Sequence, residues 1–453
     1  MAGIGTSSNP GTFYGDRMCV DLKNLKEYQS SGRLGVLPPI AGTVLVIVLL
    51  GWILRGLPTA IDQEFGIVPT TEVAPVQVVV ETEEVWRLGD NENEEFMFGV
   101  IEKVLSDEAG NFYLLDTQLN EVFKFSPDGH YLKSITRQGE GPGEINLCYF
   151  CNFWTKSAMA CINIFPKGFI RFDLEGIPLS NLKATPLPDL GSEETISIFK
   201  FTRREGITVG DGRHYFYENG ETSQIHFLSS FDEEMNEVHR YSETPTGYNF
   251  KKPITIDEDA DYIPYSSWAL GPEGEVFLAP NRTGFLIEVR DSQGNLKREI
   301  HRDWHPAKRT KEEKAEAKNQ WSFSTNGMNM PKISYKISDY PTTNWAMNWI
   351  DGNLWVTTSR TRKMSQNAGI YVIDIFNQKG HLLEERTHLL PYDSDKDQLH
   401  WLDGGRVIVV KNIKSARLAA QDSDMQVQVG DSINKSVDEE DSILEVILYQ
   451  VKN

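Results

Sequence analysis

The run Gly139-Glu140-Gly141-Pro142-Gly143-Glu144 is the densest glycine cluster of the chain, and glycine-rich loops hold phosphate where their backbone N–H groups converge on it. A phosphate loop also needs a lysine and a Ser or Thr opening a helix after a strand. No lysine follows here, and Glu140 and Glu144 would repel a polyphosphate. Pro142 removes one donor, and residues 145–153 read as another strand. Gly139, Gly141, Pro142 and Gly143 are therefore read as a structural corner rather than a nucleotide site.

Other chemistry-bearing residues are sparse. No Gly-x-Ser-x-Gly elbow and no His-Glu-x-x-His pair occurs. His301 and His305 have a metal-ligand spacing for a helix, but Pro306 follows directly, so they read as loop histidines. Of the four cysteines, Cys148, Cys151 and Cys161 lie close together and Cys19 stands apart. Asn152 follows Cys151 where a c-type haem site would have His, and three thiols without a fourth ligand make a weak zinc site. Cys151 and Cys161 flank an expected hairpin turn at 155–158, so they could face each other as a disulfide or stand as buried thiols.

The elements that would position these groups are short β-rich runs punctuated by glycine, filling the chain after residue 75. The clearest unit, residues 106–135, places strand-like Phe112–Leu115 and Val122–Phe125 between Asp/Gly and Ser-Pro-Asp-Gly turns. Weaker copies cover 158–182, 212–241, 270–300 and 349–386, and a sixth begins near Leu399 and resumes near Ser442. Gly129, Gly176, the region of Met235, Gly294 and Gly380 mark five outer turns. The sixth copy lacks a fourth strand, which residues 76–90 can supply. The expected fold is an all-β, six-bladed β-propeller closed by an N-terminal strand. Two insertions are expected, near 305–343, with a charged surface helix, and near 412–442, as an acidic mobile loop. Tryptophans such as Trp345, Trp349 and Trp355 are expected between blades, with one or two free to line a partner surface.

The sequence Asp-x-x-Gly-Asn-Phe-Tyr-Leu-Leu-Asp at 107–116, then Ser-Pro-Asp-Gly, then Arg-Gln-Gly-Glu-Gly-Pro-Gly-Glu, resembles bacterial six-bladed β-propeller proteins related to NHL repeats. The motif match is confined to 106–146; in architecture the resemblance extends over 76–453. It implies a fold and little about activity. A lactonase-like member of related propellers would bring Glu, Asn and Asp onto calcium, and Asp107, Asp116, Asn163 and Asn281 are candidates by type. Asp and Asn are equally the ordinary residues of blade turns.

Before the propeller, 21 uncharged residues lie between Arg33 and Arg55, and a helix of that length spans about 31 Å, a bilayer core. Residues 34–57 are read as a single transmembrane helix, 1–33 as a cytoplasmic segment and 58–75 as a linker. Four basic residues precede the span, whereas Asp62, Glu64, Glu72, Glu81, Glu83 and Glu84 follow it before Arg87. The positive-inside rule then puts the propeller in the periplasm of a bacterium, anchored in the inner membrane. Gly42, Thr43 and Gly51 would let the span pack against other helices.

The net charge of −20, from 65 acidic against 45 basic side chains, disfavours nucleic-acid binding. It suits solubility or a basic protein partner. The reading of function is a non-enzymatic binding or scaffold subunit of a larger membrane assembly, respiratory or photosynthetic being one conceivable host, with no cofactor. The alternative is a calcium-dependent hydrolase or lyase on the propeller.

Overall fold

A computed structural model describes residues 66–69, 75–89, 97–164, 167–187, 195–218, 221–245, 253–264, 267–321, 332–360, 369–426 and 444–452. The expected transmembrane segment 34–57, the leader before it and most of the linker lie outside these residues. Among the described residues no helix is long and apolar enough to cross a membrane. The fold is all-β and propeller-like, with two helices among the described residues.

Blade one shows why. Ile101–Ser106, Phe112–Asp116, Glu121–Phe125 and Tyr131–Thr136 pair antiparallel in that order. All five residues of the second strand are buried, because successive side chains point to opposite faces and both faces are covered. Phe112 and Leu114 join Ile408, Val410 and Val446 of the last blade. Tyr113 and Leu115 join Cys151, Met159 and Ile170 of the second.

The pattern repeats around the molecule. Blade two is built from Cys148–Thr155, Ala158–Asn163 and Gly168–Asp173, with bridges from Phe169 to Leu182 and from Phe172 to Pro178 in its fourth position. Blade three runs from Thr195 to Pro245, blade four from Trp268 to His301 and blade five from Asn344 to Leu389. The last blade has Gln398–Leu402, Arg406–Lys411 and Glu445–Val451. Its fourth position is taken by Val76–Leu88. That strand's second half pairs antiparallel with Glu445–Val451, and its first half runs parallel to Leu382–Leu389 of blade five. Six apolar clusters join consecutive blades, and one of them joins the last blade to the first.

The outer turns share one design. Ser126, Asp173, Asp232, Asp291 and Asn377 each accept, through the side chain, the amide four residues on, at 2.8–3.1 Å. The residue three on is left-handed: Gly129, Gly176, Gly294 and Gly380, with φ between 81° and 89°, and Met235, with φ 67°. An L-residue there costs about 1–2 kcal/mol, yet Met235 is fully buried against Phe201 and Phe231. Deleting such a side chain costs about 2–5 kcal/mol, so packing outweighs backbone strain. Met235→Gly is expected to lower stability by about 1–3 kcal/mol in urea unfolding. A stabilised variant would show that strain dominates instead.

The first insertion holds the expected charged helix. The helix α1, Lys311–Trp321, begins with a reciprocal cap: the Thr310 amide donates to Glu313 Oε2 at 2.7 Å, and the Glu313 amide to Thr310 Oγ1 at 3.2 Å. Beside it, Ile254–Asp257 and Ile333–Lys336 form a two-stranded parallel sheet. In the last blade, the expected acidic loop at 412–442 is corrected in its first half. Ile413–Gln426 is a helix, α2, whose Ile413, Ala416 and Ala420 pack onto the cluster between the last blade and the first. The i, i+3, i+7 spacing of these small apolar residues makes one helical face. Residues 427–443 lie outside the described residues. Blade three likewise begins earlier than the expected 212, at Thr195.

Candidate functional site

The four calcium candidates are not brought together. Asp107 sits in the first turn of blade one and accepts the Asn111 amide at 2.8 Å, the Asn111 side chain at 2.9 Å and the Tyr113 hydroxyl at 2.9 Å. Asp116 lies at the opposite end of the same strand, fully buried. Its carboxylate accepts four backbone amides, from Gly99, Val100, Gln118 and Leu119, at 2.6–3.1 Å. Asn163 is buried in blade two, where its side-chain oxygen accepts the Asn146 amide at 2.7 Å. Asn281 is exposed in a loop of blade four. These side chains fasten turns and crossovers. His301 bonds Glu299 at 2.8 Å from the end of a strand, and His305 is an exposed loop residue.

The glycine-rich loop spans the crossover from Tyr131–Thr136 to Cys148–Thr155. Glu144 folds back over it, taking the Gly141 amide at 2.9 Å and Arg137 Nε at 2.9 Å, and these bonds hold its carboxyl below the usual range. Gly143 has φ +76°, and a Cβ there would meet Pro178 Cγ at 2.9 Å. The amide donor of Gly141 is thus already occupied by a carboxylate of the loop itself.

Cys151 and Cys161 stand directly opposite each other across two strands, with Cα atoms 4.1 Å apart, and are joined as a disulfide. Cys148 Sγ lies 3.6 Å from Cys151 Sγ, and the three sulfurs fall within 4.8 Å of one another, all buried. They are the cluster of three or more His, Cys, Asp or Glu ligand atoms found among the described residues. Burial pushes the Cys148 thiol up to about 12, so it stays protonated and unreactive. Non-reducing peptide mapping is expected to link Cys151 with Cys161 and to alkylate Cys148 only after unfolding. Changing both bonded cysteines to Ala is expected to cost about 2–3 kcal/mol for so short a loop. Alkylation of all three thiols in the native protein would contradict this.

Sequence reading missed the cations on the inner strands, because a lysine within an apolar run gives no local signal. Lys103 Nζ lies 5.5 Å from the Phe150 ring and Lys200 Nζ 4.9 Å from the Trp268 ring. Burial, and then the nearby Lys200, lower Lys103 to about 8. Asp211 is raised to about 7 by burial, opposed by Lys200 and by the Trp268 indole N–H at 3.2 Å. Nearby, Arg417 grips both oxygens of Glu102 at 2.6 Å. Of the tryptophans named above, Trp355 is buried against Trp401, Trp349 packs near Phe277, and Trp345 is 46% exposed. A cavity of about 180 Å³ opens between blades two and three, lined by Tyr149, Phe169, Ile198, Phe199 and two lysines, Lys167 and Lys183.

Residues 91–266 match a family model described as a six-bladed β-propeller. No curated protein matches the sequence. Among solved structures, a member of the DUF4221 family from Bacteroides vulgatus is 11% identical, covering 83% of this chain and 99% of its own, with a TM-score of 0.44. A candidate exported protein from Bacteroides fragilis is 13% identical over 86% of this chain and 100% of its own, with a TM-score of 0.43. The calcium-binding protein regucalcin from Agrobacterium tumefaciens is 10% identical over 82% and 95%, with a TM-score of 0.35.

Proposed function

We propose that the chain is a non-enzymatic six-bladed propeller, closed by its N-terminal strand, that acts as a binding or scaffold subunit of a membrane protein assembly. Residues 34–57 serve as its anchor, with the N-terminus in the bacterial cytoplasm and the propeller in the periplasm. The observation that carries this reading is the state of Asp116. The most deeply buried of the four calcium candidates accepts four backbone amides, which leaves it little capacity to bind an ion. Asp107 and Asn163 are engaged in the same structural way. What the fold offers to a partner is surface, carried by a chain of net charge −20, and a basic protein face would complement it. The test is metal content with stability. The full-length protein purified in detergent is expected to carry calcium well below one ion per chain, and chelation is expected to leave its melting temperature unchanged. One tightly held calcium per chain, with a hydrolytic or lyase activity lost on chelation, would sink the proposal.

A further inference from the structure

The cavity between blades two and three has features that the scaffold reading neither needs nor explains. Its volume is about 180 Å³. An apolar cavity of about 150 Å³ admits benzene, so the space suits one small ring or a short chain. The walls are mostly apolar: Ile162, Phe169, Ile196, Ile198 and Phe199, with Tyr149 and Tyr215. The Tyr149 hydroxyl is already committed to the Ile198 carbonyl, so its ring acts as a wall. Against this lining stand two ammonium groups, Lys167 and Lys183. Neither has an acidic partner among the described residues.

Lys167 is half-buried and Lys183 exposed; burial costs Lys167 hydration and Lys183 repels it, and an anion between them would offset both effects. Among the described residues, no carboxylate lines this cavity. A bare inorganic anion would leave the apolar walls unfilled, and an uncharged ring would leave the lysines unpaired. We propose that this cavity binds a small organic carboxylate with an apolar body of about the size of benzoate. The apolar body lies against Phe169, Ile198 and Phe199, and the carboxylate lies between Lys167 and Lys183. Burial, and then Lys183, lower Lys167 to about 8, so the site loses charge, and with it affinity, as pH rises through 8.

The experiment is calorimetric titration of the full-length protein in mild detergent at pH 7, with detergent-only blanks. Benzoate is the probe, benzyl alcohol the uncharged control and acetate the control without an apolar body. Saturable one-to-one binding of benzoate is expected, with both controls at least about tenfold weaker. Lys167→Met and Lys183→Met are each expected to weaken benzoate about tenfold, whereas Lys183→Arg retains it, and melting curves establish that each variant is folded. Affinity is expected to fall between pH 7 and pH 9. The proposal is overturned if benzoate shows no saturable binding up to about 10 mM, if benzyl alcohol binds as well as benzoate, or if the double Met variant binds as the parent does. Because the readout is binding of a small molecule, its failure leaves the scaffold reading standing, and the reverse also holds.

Discussion

Replacing Glu258 by glutamine is expected to destabilise the protein by about 3–5 kcal/mol, the range for breaking a buried ion pair from one side. Glu258 is 4% exposed and sits between two buried guanidinium groups, Arg282 and Arg309. One carboxylate oxygen meets Arg282 at 2.6 Å and Arg309 at 2.9 Å. The other takes Arg309 at 2.6 Å and the Ser338 amide at 3.0 Å. Glutamine keeps the shape and removes the charge, leaving two cations facing each other, with Asp259 at 3.1 Å from Arg282 as an acidic neighbour. The triad joins the segment before blade four, the loop of Arg282 and the chain just before α1, and the Ser338 amide ties in the chain beyond it. Amides of Ile254–Asp257 and Ile333–Lys336 should therefore lose exchange protection before those of the blades. Replacing all three residues with packed apolar side chains should cost far less than the single change. A loss below about 1 kcal/mol for Glu258→Gln would place the triad among surface pairs.

The second large effect is acid sensitivity near pH 6. His214, His388 and His400 are buried, and burial, the first cause in each case, lowers them to about 4, 3 and 3. Their folded pKa values lie below the ordinary value of about 6.5. Their contribution is therefore complete above pH 6.5 and is lost as pH falls, because the unfolded chain takes up protons that the folded chain refuses. Each contributes a slope of about 1.4 kcal/mol per pH unit below that point. Asp211 opposes them: raised to about 7, it makes the fold gain stability as pH falls from 7 towards 3.8. The net rises towards two protons, or about 3 kcal/mol between pH 6.5 and 5, a large share of the stability of a typical domain. His388 is the position to change. Its ring lies against Trp401 and Trp355, with centroids 4.6 and 5.8 Å away, and neither ring nitrogen has a hydrogen-bond partner among the described residues. His388→Phe is expected to raise stability at pH 7 by about 1–2 kcal/mol, since it removes an unsatisfied buried polar group. It should also flatten the acid slope by about one proton. An unchanged slope in the variant, followed by urea unfolding from pH 7.5 to 5, would contradict the assignment.

Much of the fold was legible because it is written in local chemistry. Asp173, Asp291 and their counterparts bond their own turns within five residues, so each turn announces itself in a short window. Met235 marks its turn without glycine, and there the Asp232 side chain accepts the Asn236 amide. The missing strand of the last blade could be inferred from count alone, and Val76–Leu88 pairs there. Long-range features were less visible. The face of α2 depends on Ile413, Ala416 and Ala420 meeting a cluster assembled from both ends of the ring, while the acidic residues that follow drew the whole segment towards a loop reading. Glu258, Arg282 and Arg309 are separated in sequence, and no short window pairs them. Lys167 and Lys183 gain meaning only when Phe169 and Phe199 are seen to wall the same cavity. Asp116 was recognised by type, but its saturation by four amides follows from the crossover geometry of blade one.

The central claim is that this propeller contributes binding surface within a membrane assembly. Its most direct test is native purification of the full-length chain in mild detergent, with the mass and composition of the particle determined. Co-migration with other membrane subunits at fixed stoichiometry, persisting through two orthogonal separations, is the result predicted. A lone particle with stoichiometric calcium and a chelator-sensitive activity would contradict it.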